Sequence, residues 1–115
     1  MPELTISEKD FQSQIIDAAH LLGYRVAHFR AAQTKYGWRT PVSADGAGFP
    51  DMVLARRGTI DTEYGRLIFV EVKGAKGKLS EAQREWNSML VHTNAEVYHW
   101  QVGKIELEEI VEILR

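Results

Sequence analysis

The chain has 115 residues, 26% of them charged and 44% hydrophobic, with a formal net charge of −2 and no cysteine. That length predicts a single domain, 1–115, with enough apolar content for a core. The missing cysteines exclude disulfides and thiolate metal sites, and no apolar run reaches the ~18 residues of a membrane span.

Charge is uneven along the chain. Eleven of the fourteen Lys and Arg residues fall between residues 24 and 84, while both ends are acidic. A basic middle suits a polyanionic partner, although acidic terminal helices that merely solvate themselves give the same profile. The opening "MPELTISEKD" has no signal-peptide core, and the expected compartment is the cytoplasm.

Ser7 reads as an N-cap, with Glu8 and Asp10 in the first turn where carboxylates complement the helix dipole. Phe11, Ile15, Ala18, Ala19 and Leu22 follow at helical spacing, and Gly23 closes the helix. "YRVAHFR" alternates as a strand, and residues 31–49 read as a long glycine-containing loop. Two strands follow near 51–57 and 66–73, joined by the polar "GTIDTEYG". Ser80 caps a second helix running to about His92, "AEVYHWQV" is a further strand, and "IELEEIVEILR" is a terminal amphipathic helix. Its Ile105, Leu107, Ile110, Val111 and Leu114 are expected to cover the sheet, with a dimer surface as the other use. The predicted fold is α/β, a mixed central sheet of about four strands flanked by helices.

Charges interrupt the two middle strands. In "LIFVEVK" the period of two sends Ile68, Val70 and Val72 to one face and Phe69, Glu71 and Lys73 to the other. Asp51 starts its strand behind Pro50, and a hairpin between the strands brings Asp51 to the end that carries Glu71 and Lys73. Two carboxylates and an ammonium in one place suit Mg²⁺, which takes hard oxygen ligands alongside water and phosphate. A solvated Glu–Lys surface pair explains Glu71 and Lys73 equally well on spacing alone.

Two further polar residues sit on apolar stripes. Glu8 falls on the Phe11–Ile15 side of its helix, although a first-turn carboxylate is often only a dipole partner. Gln83 shares a face with Leu79, Trp86 and Leu90, and "SEAQ" also fits a capping box in which Gln83 reaches back to the Ser80 N–H. His20, His28, His92 and His99 lack zinc-ligand spacing and are expected to be structural or exposed. Arg30, Lys35, Arg39, Lys76 and Lys78, interleaved with Tyr36 and Trp38, suit phosphate contacts and base stacking.

Glu8, "GFPD" ending at Asp51, "FVEVKG" with Glu71 to Lys73, and "LSEAQREW" with Gln83 occur in this order. Together they resemble the PD-(D/E)xK nucleases and, more narrowly, the VRR-NUC domain family, over nearly the whole chain. The resemblance implies a restriction-endonuclease-like core and a DNA endonuclease dependent on Mg²⁺ or Mn²⁺. It implies Asp51 and Glu71 as metal ligands, with the Val72 carbonyl and Glu8 as further candidates. Lys73 would orient or activate the attacking water, and Gln83 would line the site. The chain departs from the family's valine-arginine-arginine signature, having "LARRG" with Arg56 and Arg57 instead. The resemblance also implies branched or junction DNA as substrate, cut by a homodimer whose symmetry matches a Holliday junction. A flap or nicking nuclease, or a DNA-binding module that does not cut, are the alternatives.

Overall fold

The computed structural model describes residues 5–29, 32–35, 37–39 and 42–115. The first helix, α1, spans Glu8–Leu21, capped by Ser7, whose hydroxyl accepts the Asp10 N–H at 3.0 Å. Gly23 ends it with a φ of 90°, a left-handed conformation that glycine adopts without strain. Strand β1 follows at Arg25–His28.

Within the segment expected to be a loop, two short strands pair antiparallel: β2, Ala32–Thr34, and β3, Gly37–Arg39. This corrects the expectation of an unstructured 31–49. Three-residue strands are too short for apolar alternation to announce them.

Strands β4, Met52–Arg56, and β5, Arg66–Lys73, form the expected antiparallel hairpin with Met52 opposite Val70. Helix α2, Glu81–Leu90, then carries the chain to β6, Glu96–Gln101, which lies parallel to β5. A parallel neighbour needs such a crossover, because a tight turn only joins antiparallel strands. Helix α3, Leu107–Leu114, completes the chain. The four-stranded sheet has the order β1-β4-β5-β6, mixed in direction and flanked by the three helices. The hairpin β2-β3 forms a separate small sheet.

Strand parity decides where the core lies. Met52, Leu54, Ile68, Val70, Val72 and Trp100 form one sheet face and meet Phe11, Ile15 and Ala19 of α1 with Ile110 and Leu114 of α3. Burying each large aliphatic side chain in such a core stabilises by about 1.5–3 kcal/mol. Of the apolar residues expected to cover the sheet, Ile110 and Leu114 join the core and Ile105 packs against it, while Leu107 and Val111 are half-buried outside that cluster. The C-terminal end of α3 is tied down as well: Tyr24 Oη and Arg56 Nη1 both donate to the Leu114 carbonyl, at 2.9 and 3.2 Å. Arg56 also donates to the Leu22 carbonyl and lies over the Tyr24 ring. No described helix is long and apolar enough to cross a membrane.

The opposite sheet face is covered differently. Phe49, just before Pro50, makes edge-on contacts with Phe29, Phe69 and Trp86 at ring-centroid distances of 5.8, 5.8 and 5.0 Å. This aromatic group joins the end of β1 and the middle of β5 to α2, and α2 itself buries no residue fully. The end of the sheet beside Phe69 is where the charged residues gather.

Candidate active site

The hairpin register runs on past Met52–Val70, which sets Asp51 beside Glu71. Asp51 Oδ2 accepts the Val72 N–H at 2.8 Å, taking the place of a ladder partner where β4 begins. The N–H and C=O of one strand residue point to the same side. The Val72 carbonyl therefore faces the side on which Asp51 lies.

Glu71 is 2% exposed, although it stands on the polar parity of β5. Its Oε1 accepts from Gln83 Nε2 at 2.8 Å and lies 3.8 Å from Lys73 Nζ. Its Oε2 is buried and has no hydrogen-bond donor. A buried carboxylate oxygen without a donor is costly, because water's hydrogen bonds are lost and none replaces them. The Asp51 carboxylate supplies a second acceptor. Although the Asp51 backbone N–H favours the charged Glu71, burial and the Asp51 charge outweigh it, so a shared proton or a cation suits the pair.

The electrostatics follow from that geometry. Burial, then the Asp51 charge, pushes the Glu71 carboxyl up to about 8, with Lys73 opposing. Burial likewise raises Asp51, against the lowering effects of the Val72 N–H, Lys73 and His28. Two neighbouring carboxyls with raised values mark a candidate functional site.

Glu8 reaches the same place from another layer. A Cβ on Gly74 would lie 3.7 Å from Glu8 Cβ, so the start of α1 rests against the end of β5. Glu8 is exposed at the rim, and its carboxyl is raised first by partial burial and then by Asp51, with Lys73 pulling it down. The apolar stripe of α1 thus runs towards the sheet end, where its first turn leaves the core.

Gln83 is placed by its own helix. Ser80 Oγ accepts the Gln83 N–H at 3.2 Å and Gln83 Oε1 accepts the Ser80 N–H at 2.8 Å, closing a capping box. The capping box forms as expected, and the amide's other end donates to Glu71. Helix α2 is held close by Gly48, whose φ is 84°. A Cβ there would come within 2.6 Å of the Ala82 carbonyl carbon and 2.8 Å of the Gln83 nitrogen. Trp86 Nε1 adds a hydrogen bond to the Asp45 carbonyl at 3.0 Å. "GFPD" and "LSEAQREW" are therefore two sides of one contact. The roles of Gly48 and Phe49 in it escape a reading of spacing, because their partners on α2 lie 34 to 37 residues further along the chain.

The remaining candidates are dispersed. Lys76 and Lys78 are exposed on the segment after β5, and Lys35 is exposed between β2 and β3. Trp38 and Arg39 belong to β3, but their side chains are outside the described set. Arg30 and Tyr36 lie outside the described residues. His20, His92 and His99 are exposed, and His28 is half-buried near Asp51.

Among the described residues, no three His, Cys, Asp or Glu side chains form a ready metal-holding group. Asp51 and Glu71 are a two-carboxylate set of hard oxygens, the donor type and number that Mg²⁺ or Mn²⁺ accepts beside phosphate and water. The donorless Glu71 Oε2 makes that set fit a divalent cation.

No curated protein and no solved structure gave a significant match. The VRR-NUC domain matches residues 29–104, a span that contains "GFPD", "FVEVKG" and "LSEAQREW" and excludes Glu8 and α3. That domain implies a nuclease-type function in DNA processing. The chain belongs to the VRR-NUC domain family.

Proposed function

We propose that the protein is an endonuclease that hydrolyses phosphodiester bonds in DNA with Mg²⁺ or Mn²⁺ held by Asp51 and Glu71. The observation that carries this reading is the buried, donorless Glu71 Oε2 beside a second carboxylate. The Val72 carbonyl is a further donor, and Glu8, exposed at the rim, acts on the ion through water. When bound, the ion supplies Lewis acidity towards a phosphate oxygen and offsets the charge of the two acids.

The chain's own groups do the rest. Gln83 fixes the Glu71 carboxylate by its 2.8 Å hydrogen bond, so the acid keeps one rotamer as substrate arrives. Lys73 holds its ammonium beside Glu71, where it orients the attacking water and stabilises charge gathering on the phosphorane. Lys35, Lys76, Lys78, Arg30 and Arg39 meet the DNA backbone, and Trp38 offers a stacking surface.

The substrate is branched DNA, a four-way junction above all, cut by a homodimer. One domain of this size reads little DNA alone, and two-fold symmetry in the protein matches that of the junction. The apolar face of α3 is occupied by the core, so the dimer uses another surface.

The test is incubation with junction, flap, nicked and linear DNA and either metal, with Lys73→Ala alongside. Metal-dependent cutting that prefers the junction and is lost in Lys73→Ala is expected. Cutting by the variant at the wild-type rate would contradict the site. A preference for flaps or nicks would leave the nuclease and remove the resolvase version.

A further inference from the structure

At the far edge of the site, a side chain to which the proposed chemistry gives no role holds a turn. The chain leaves β5 at Lys73 and bends at once, with Gly77 N–H donating to the Gly74 carbonyl at 3.0 Å. Gln101, the last residue of β6, is the register partner of Lys73. Its Nε2 lies 3.1, 3.2 and 2.9 Å from the carbonyl oxygens of Gly74, Ala75 and Gly77. One amide thus gathers three carbonyls of a four-residue turn. An amide nitrogen has two hydrogens, so it is shared among them, and the turn is pinned at both ends.

The turn in turn sets Lys73. A Cβ on Gly77 would come within 3.2 Å of both Cβ and Cδ of Lys73, so the glycine backbone lies against the lysine stem. The Lys73 side chain is only 18% exposed, although it ends in an ammonium. A lysine has four rotatable bonds, and a wall along its stem removes most of the rotamers that would swing the ammonium away.

We infer that Gln101 is a positioning residue for Lys73, acting through the 74–77 turn to keep the ammonium beside Glu71. The inference rests on the nuclease reading above, in which Lys73 serves the attacking water. Gln101 touches neither the proposed ion site nor, in this account, the DNA. A displacement of a reacting group by about 1 Å costs up to about a hundredfold in rate, so a loosened turn has a measurable effect.

The experiment compares wild type, Gln101→Met and Gly77→Ala, each with and without Lys73→Ala. Methionine keeps the length of glutamine and removes its donors. Gly77→Ala leaves Gln101 in place and presses directly on the lysine stem, and φ at this glycine is not in the positive range. The expected result is a kcat lowered about tenfold in both single variants, with DNA affinity changed less than about twofold. In the Lys73→Ala background the same changes add less than about twofold, since the group they position is gone. In the metal-free protein, NMR of ¹³C-methylated lysines should show the Lys73 signal shifted in Gln101→Met and that of Lys9 unmoved.

Gln101→Met cutting at the wild-type rate overturns the inference, as does a loss of DNA affinity at unchanged kcat. So do effects that add in full to Lys73→Ala, or an unmoved Lys73 signal. If the wild type itself cuts no DNA with either metal, the nuclease reading falls and takes this inference with it.

Discussion

Gln83 serves two partners with the two ends of one amide: Nε2 donates to Glu71 Oε1, and Oε1 accepts the Ser80 N–H, both at 2.8 Å. The stability of α2 and the orientation of the buried acid are therefore linked through a single side chain.

Substitution separates the two duties. Gln83→Glu keeps the acceptor that a capping box requires but replaces the donor with a carboxylate facing Glu71. Gln83→Ala removes both and leaves the Ser80 N–H without its acceptor, a loss of about 1 kcal/mol, while the Ser80 hydroxyl still caps the helix. Both variants should lose cleavage, while amide exchange in the first turn of α2 should accelerate only in Gln83→Ala. Equal protection in the two variants would show that the cap does not depend on this side chain.

The metal-free protein should lose stability as pH rises. The Glu71 carboxyl lies at about 8 in the native state against an ordinary 4.5. Between those values the folded chain holds a proton that the unfolded chain has released, so rising pH favours unfolding. Below 4.5 the contribution is complete, and above about 8 it is lost. Glu71→Gln, which keeps a hydrogen on this side chain to donate to Asp51, should flatten the slope. Denaturant titrations of both proteins across that window provide the check, and a flat wild-type profile would contradict the burial of this acid.

Gly48→Ala should be among the most damaging small substitutions. The added Cβ meets α2 backbone at 2.6 Å, and the φ of 84° disfavours any side chain. Strain and overpacking together cost roughly 2–4 kcal/mol. Because α2 must retreat, Gln83 should leave Glu71, and cleavage should fall along with the melting temperature. A variant as stable as wild type would mean the loop and helix do not approach as described.

Lys76 and Lys78 stand exposed on the segment that follows Lys73. Replacing both with alanine should reduce the slope of log K against log salt by about 1.8, or ~0.9 per phosphate contact. An unchanged slope would take this segment off the DNA interface.

Much of this arrangement could be read from residue order. Period-two alternation sorts Ile68, Val70 and Val72 from Phe69, Glu71 and Lys73, and the structure keeps that division. Ser7, Gly23 and Ser80 mark helix ends because capping is local chemistry. Gln83 was ambiguous only because an amide carries a donor and an acceptor, and here it uses both. Other features depend on contacts distant in sequence. Nothing local says that Gly48 is a glycine to admit Ala82, or that Phe49 joins three aromatic neighbours. Arg56, noticed first as part of "LARRG", bridges the carbonyls of Leu22 and Leu114. That role requires knowing that two helices end at the same place.

The account depends most on Asp51 and Glu71 sharing a divalent cation. Calorimetric titration of Mn²⁺ into wild type, Asp51→Asn and Glu71→Gln tests it directly. A saturable heat in the wild type that disappears in both variants is the predicted result. Variants that bind Mn²⁺ as the wild type does would contradict it.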